Sequence, residues 1–161
     1  MSKGIMRVYY GEGYGKSTAA FGTAIREIAQ GRTATMISFL RKKYEKREEL
    51  YKRFEPELKF FRFEKSAECF EALSEEEKEE EAMNLRNGFN YSKKVIATGG
   101  CDLVVLDEVL DLVENGVVSE EALLGLISFI PDDMVVICTG KVLREGVRNV
   151  ADEVYQITLE K

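Results

Sequence analysis

The sequence predicts an α/β fold in which a mainly parallel sheet of about six strands lies between helical layers. Three observations carry this. Apolar, β-branched runs alternate along the chain with amphipathic or charged segments, the pattern of parallel strands joined by helical crossovers. Six such runs can be counted, enough for a wound sheet. The 161 residues, 45% of them hydrophobic, suffice for one buried core, so residues 1–161 are read as a single domain.

The first strand is IMRVYY (5–10). The glycine-rich turn after it opens a helix from Lys16 or Ser17 to about Ala29. Ala20, Ala24, Ile25 and Ile28 share its apolar face, and Gly31 stops it. TATMISFL (33–40) is the second strand. A charged helix follows from about Tyr44 to Phe54, keeping Leu50, Tyr51 and Phe54 for contact. Pro56 marks the turn into the third strand, LKFFRF (58–63). Ser74 and Glu77 form a capping box that opens a long helix with Leu85, Phe89 and Ile96 inward. The glutamate run at its start suits the helix dipole and a solvated face. DLVVLDE (102–108), MVVICTG (134–140) and EVYQITL (153–159) complete the strands, with shorter helices after Glu108, Ser119 and Leu143.

Composition narrows the function. A net charge of -6 and a pI near 5.0 argue against a protein that coats nucleic acid, because neutralising a phosphate backbone needs a basic face. No apolar run is long enough to span a bilayer, and MSKGIMRVYY leads straight into a strand without a signal core, so a cytoplasmic location without membrane association is expected. Three widely spaced cysteines, Cys69, Cys101 and Cys138, fit reduced thiols, with Cys138 in the core. Histidine is absent, which removes the usual neutral-pH base and the commonest transition-metal ligand.

The stretch YYGEGYGKSTAA (9–20) carries the chemistry. Directly after an apolar strand and at the start of a helix, GEGYGKST has the context of a phosphate-binding loop, although Tyr10 stands where the common pattern has its first glycine. Gly11, Gly13 and Gly15 permit backbone angles that turn N–H groups toward phosphate oxygens, and the helix N-terminus adds partial positive charge. Glu12, Tyr14 and Thr18 complete the loop as nucleotide contacts. Lys16 supplies a full positive charge, and Ser17 a hydroxyl for a phosphate-bound Mg²⁺. DLVVLDE is a buried strand that delivers Asp107 and Glu108 to the carboxyl edge of the sheet, as candidate ligands of Mg²⁺ or Mn²⁺. Capping the next helix is the plain alternative for both. ICTGK ends the next strand with Thr139, Gly140 and Lys141 at the same edge. Together these features predict a three-layer fold of the P-loop NTPase type.

These motifs resemble the ATP:corrinoid adenosyltransferases of the single-domain bacterial type that includes cob(I)yrinic acid a,c-diamide adenosyltransferase. GEGYGKSTAAFGTAIRE is similar to that family's G-x-G-K-G-K-T-T loop and Ala-rich helix, and the family also lacks the missing first glycine. VVLDEVLDLVENGVVSEEAL, TGK and NVADEV extend the resemblance over nearly the whole chain. It implies that ATP is bound with its triphosphate in the loop and attacked at the ribose 5' carbon by cobalt(I) of a reduced corrinoid, a reaction of adenosylcobalamin biosynthesis or salvage. Lys16 and Glu108 are then the catalytic candidates. Arg26 matches an arginine of the family pattern and becomes a further phosphate contact, a surface arginine paired with Glu27 or another neighbour being the alternative, with Lys141 another ATP contact. The matching region FEKSAECFEAL offers Phe63 and Phe70 to the corrinoid, a core role being the alternative for each. A homodimer and a flavin-type reductant protein are implied partners. Cobalt(I) is itself a nucleophile, which is consistent with a chain lacking histidine.

The chain departs from the family at Tyr14, where lysine is usual, and at Lys141, where a forked arginine is usual. It ends at YQITLEK, short of the family's usual C-terminal segment. Two other readings of the residues stand beside the first: a P-loop ATPase or kinase, and a nucleotide- or corrinoid-binding module with weakened catalysis.

Overall fold

In the computed structural model, which describes residues 3–40 and 45–161, the chain runs β1 (Ile5–Tyr10), α1 (Lys16–Ala29), β2 (Ala34–Ser38), α2 (Glu45–Lys52), β3 (Leu58–Arg62), a 3-10 turn (Phe70–Ala72), α3 (Glu75–Thr98), β4 (Leu103–Asp107), α4 (Val109–Glu114), α5 (Glu120–Ile127), β5 (Val135–Gly140), α6 (Glu145–Val150) and β6 (Glu153–Gln156). The six strands lie in the order β3-β2-β4-β5-β1-β6, and every pair is parallel. The α/β sheet read from the alternation of the sequence is present, wholly parallel. Its consecutive strands β4, β5 and β1 bring their carboxyl ends side by side.

Strand periodicity builds the layers. Successive side chains point to opposite faces, so Val104 and Leu106 join the core under α3, α4 and α5. Leu103 and Val105 join the core under α1. All four are fully buried, as expected of a parallel strand covered on both sides. Ala20 and Ala24 are also fully buried, and their small side chains let α1 sit close against the sheet. On the same layer Phe21 packs on Tyr51 at 4.9 Å, and Tyr51 packs on Phe60 of β3 at 4.7 Å. Tyr51 and Phe54 thus make the contacts expected of them, whereas Leu50 faces solvent. The expected start of that helix at Tyr44 lies outside the described residues. Cys138 is buried in the sheet, and desolvation pushes its thiol up to about 12. None of the described helices is long and apolar enough to cross a membrane.

The capping box is present in both halves: Glu77 N–H donates to Ser74 Oγ at 3.3 Å, and Ser74 N–H donates to Glu77 Oε2 at 2.8 Å. Not all of the glutamate run is solvated. Glu81 is only 6% exposed, and its two carboxylate oxygens accept the backbone N–H groups of Lys65 and Ser66, each at 2.7 Å. It lies one turn before Leu85 on the inward stripe and fixes the segment that leaves β3. A charged acceptor for two amides is worth more than a neutral one. Glu81→Ala is therefore expected to lower the free energy of unfolding by about 2 kcal/mol, and Glu81→Gln by less, as measured by urea denaturation.

Candidate active site at the carboxyl edge of the sheet

The loop after β1 is shaped by its neighbours before any ligand is considered. Gly11 and Gly15 have φ of 130° and 112°, angles that a residue with a Cβ rarely adopts. The Gly11 N–H donates to the carbonyl of Gly140 at the end of β5, 3.1 Å away. On the other side the Gly13 N–H donates to the carbonyl of Ile157, just past β6, at 3.2 Å. These two amides extend the pairing of the sheet, so they point sideways. The amides free to face a phosphate belong to residues 14–18, where the first turn of α1 leaves its N–H groups without helical partners. Lys16 is half-buried, and its Nζ donates to the Gly13 carbonyl at 2.7 Å, curled over the loop. Tyr14 stands fully exposed at the tip. Glu12 and Thr18 are exposed beside it.

Beneath the loop a buried polar network joins three elements. Asp107, at the end of β4, is completely buried. Its Oδ1 accepts from Ser17 Oγ at 2.7 Å and from Thr139 Oγ1 at 2.8 Å. Thr139 Oγ1 in turn accepts the Glu108 N–H at 2.7 Å. Glu108 adopts φ 66°, a left-handed conformation unusual for a residue with a side chain, and this bond helps hold it there. Strand β4 therefore ends in a carboxylate pointing inward at Ser17, followed by a half-buried glutamate at the start of α4. The serine hydroxyl and aspartate carboxylate at a helix N-terminus are the donor types of a phosphate-bound Mg²⁺ or Mn²⁺. Among the described residues no cluster of three or more His, Cys, Asp or Glu side chains forms a metal cage.

Asp111 belongs to this site and escaped the sequence reading. It sits in the first turn of α4, and its Oδ1 accepts the Lys141 N–H at 3.0 Å. Burial raises its carboxyl above the usual aspartate range, opposed by the Lys141 N–H and by the charges of Lys141 and Lys16, with the charge of Asp107 adding to the rise. Its signal was its place four residues after Asp107 in DEVLD, one helical turn further along. Lys141 itself is exposed, with its backbone fixed to Asp111.

Other expected contacts lie elsewhere. Arg26 is ten residues beyond Lys16 on α1, about 15 Å along the helix. It lines a groove with Arg7, Tyr9 and Tyr155, and is not brought to the loop. Phe63 packs on Tyr91 at 5.6 Å and against Gly88 of α3, while Phe70 is buried in the core. Both rings take part in packing, and Phe63 stays half-buried. Tyr10 does more than end β1, because its hydroxyl accepts from Arg148 Nη2 at 3.0 Å and its ring lies 5.5 Å from that guanidinium, tying α6 to the strand.

The sequence matches, over residues 2–161, the family model described as ATP:corrinoid adenosyltransferase BtuR/CobO/CobP. The chain belongs to this family. Similar proteins include the corrinoid adenosyltransferase of Escherichia coli K12, 27% identical over 155 residues, which span 96% of this chain and 76% of that one. Corrinoid adenosyltransferase CobA of Salmonella typhimurium LT2 is similar to the same extent, at 27% over 96% and 76% of the two chains. The corrinoid adenosyltransferase of Pseudomonas aeruginosa PAO1 is 25% identical over 99% of this chain and 77% of its own. The adenosyltransferase family match embraces the loop, the DLVVLDE strand and the TGK turn, the three segments that meet at the carboxyl edge.

Two measurements check this network. Thr139→Val keeps shape but removes the donor to Asp107 and the acceptor for Glu108, and is expected to lower stability by about 2 kcal/mol in urea denaturation. Asp111→Asn keeps an oxygen for the Lys141 N–H while removing a charge that burial disfavours. Because the folded carboxyl holds its proton to higher pH than the unfolded one, the native state binds more protons in between. Stability from this group thus falls as pH rises from 3.8 through the raised value. The variant should lack that fall, so it should exceed the wild type in urea midpoint at neutral pH and lose this advantage below the usual aspartate range.

Proposed function

We propose that this protein transfers the 5'-deoxyadenosyl group of ATP to the cobalt(I) of a reduced corrinoid, releasing triphosphate. The observation that carries the reading is the meeting of the Lys16 loop with the buried Ser17–Asp107–Thr139 network at one sheet edge, in a chain that matches the adenosyltransferase family along almost its full length. In this reaction the cobalt lone pair forms a Co–C bond to the ribose 5' carbon as the C5'–O bond breaks. Triphosphate leaves with the bonding electrons. The demand on the protein is therefore to hold the polyphosphate in place and offset the charge gathering on it.

The site has groups suited to that demand. The amides of residues 14–18 and the start of α1 supply fixed partial positive charge. Lys16, leaving the Gly13 carbonyl, adds a full charge. Ser17 and Asp107 would hold Mg²⁺ or Mn²⁺ together with phosphate oxygens and water, and such an ion, when bound, neutralises phosphate charge. Glu108 and Lys141 stand at the rim for contact with nucleotide or ion. No proton needs to be abstracted, so the lack of an imidazole is no obstacle. We further place the enzyme in the cytoplasm as a homodimer supplied with electrons by a flavin-type reductant protein.

The test is anaerobic incubation with MgATP and chemically reduced cob(I)alamin, following the corrinoid spectrum and identifying the phosphate product. Adenosylated corrinoid with triphosphate is expected. Release of orthophosphate independent of corrinoid would replace this reading with a P-loop ATPase, and binding of both substrates without product would indicate a binding module. Lys16→Ala is expected to lower the turnover by at least about 100-fold while leaving the thermal midpoint within a few degrees of the wild type.

A further inference from the structure

Glycine at position 13 calls for a physical cause. Its backbone lies outside the left-handed region, unlike that of Gly11 and Gly15, so conformation alone would admit alanine. What crowds a side chain there is the segment after β6. A Cβ on Gly13 would come within 3.0 Å of Leu159 N and of the Thr158 carbonyl carbon, tighter than ordinary contact, so this backbone would have to give by a few tenths of an ångström. A Cβ on Gly11 would come within 2.1 Å of the Ile157 carbonyl oxygen. Hydrogen bonds follow the same contacts: the Ile157 N–H donates to the Tyr10 carbonyl at 2.7 Å, and the Ile157 carbonyl accepts the Gly13 N–H at 3.2 Å. The Ile157 side chain ends 3.8 Å from where a Cβ on Gly15 would stand.

We propose that segment 157–159 is a component of the phosphate site, a backbone clamp that seizes the loop at Gly11 and Gly13 and confines phosphate binding to the amides of residues 14–18. The glycine at 13 then serves the clamp and not the ligand. Held between Gly140 on one side and Ile157 on the other, the first half of the loop is fixed by the sheet itself, and its second half is presented at a set height above Ser17 and Asp107. Preorganised donors cost less to order when a polyphosphate arrives. The inference rests on reading residues 11–18 as a phosphate loop and is independent of the corrinoid chemistry.

Amide hydrogen exchange on the full chain, with and without MgATP, tests it directly. The Gly13 and Ile157 amides should exchange at least about 100-fold more slowly than unstructured amides even without nucleotide. MgATP should slow the amides of residues 14–18 and leave Gly13 nearly unchanged. A freely exchanging Gly13 in the ligand-free protein, or one that gains protection from MgATP as Lys16 does, overturns the clamp while the phosphate loop stands. If no amide in 11–18 responds to MgATP, the phosphate-loop reading fails and the clamp as part of such a site fails with it. A double-mutant cycle gives an independent measure. Gly13→Ala should weaken MgATP binding by about tenfold in the otherwise unaltered chain. Ile157→Pro deletes the N–H bonded to Tyr10 and lifts the segment, so in that background Gly13→Ala should cost less than about twofold. Equal cost in both backgrounds would assign the glycine to the ligand and overturn the proposal.

Discussion

The carboxylate of Asp107 is the constraint around which the site is arranged. It is completely buried at the end of a strand whose other residues are all apolar, and burial of a charge is tolerable only with strong partners. Two hydroxyls donate to one of its oxygens, from Ser17 at the start of α1 and from Thr139 on β5. That requirement fixes how far α1 can stand from β4 and how β5 must be registered beside it. Through Thr139 it reaches Glu108, whose left-handed backbone turns the chain sharply from strand to helix. The alanines of α1 and the alternating apolar residues of β4 make the close approach possible; the aspartate gives the approach a single geometry.

The loop above it shows a division of labour that the motif alone conceals. Three glycines in GEGYG invite one explanation, close approach to phosphate. The structure separates them, because Gly11 and Gly13 turn their amides toward neighbouring strands and Gly15 opens the helix. Lys16 bridges the halves by resting on the Gly13 carbonyl. Tyr14 stands clear of the protein.

Much of the architecture was legible because it follows from short-range patterns. Apolar runs gave the strands, and the capping box fixed the start of α3. The glycine-rich turn marked the strand-to-helix junction at Lys16. Ser17, Asp107 and the TGK turn could be placed at one edge because parallel strands deliver their carboxyl ends together. What escaped depended on long-range packing. Glu81 looked like one of many solvated glutamates, although its spacing to Leu85, Phe89 and Ile96 put it on the buried stripe, and nothing local revealed the two amides waiting there. Phe63, half-buried, packs against α3 and Phe70 lies in the core, contacts that depend on elements distant in the chain. Leu50 is exposed because it stands about 100° around α2 from Tyr51, whose ring takes the inward contacts with Phe21 and Phe60.

The contact between Gly13 and Ile157 joins two segments that lie far apart along the chain. A ribosome makes the loop well before its supporting backbone, on the order of ten seconds earlier at ordinary elongation rates. Until then β1 lacks both of its neighbours in the sheet, β5 and β6, which lie beyond residue 134. A chain still being translated therefore carries the whole GEGYGKST motif without the backbone contacts that shape it in the folded protein, and the loop takes its final form only with completion of the sheet.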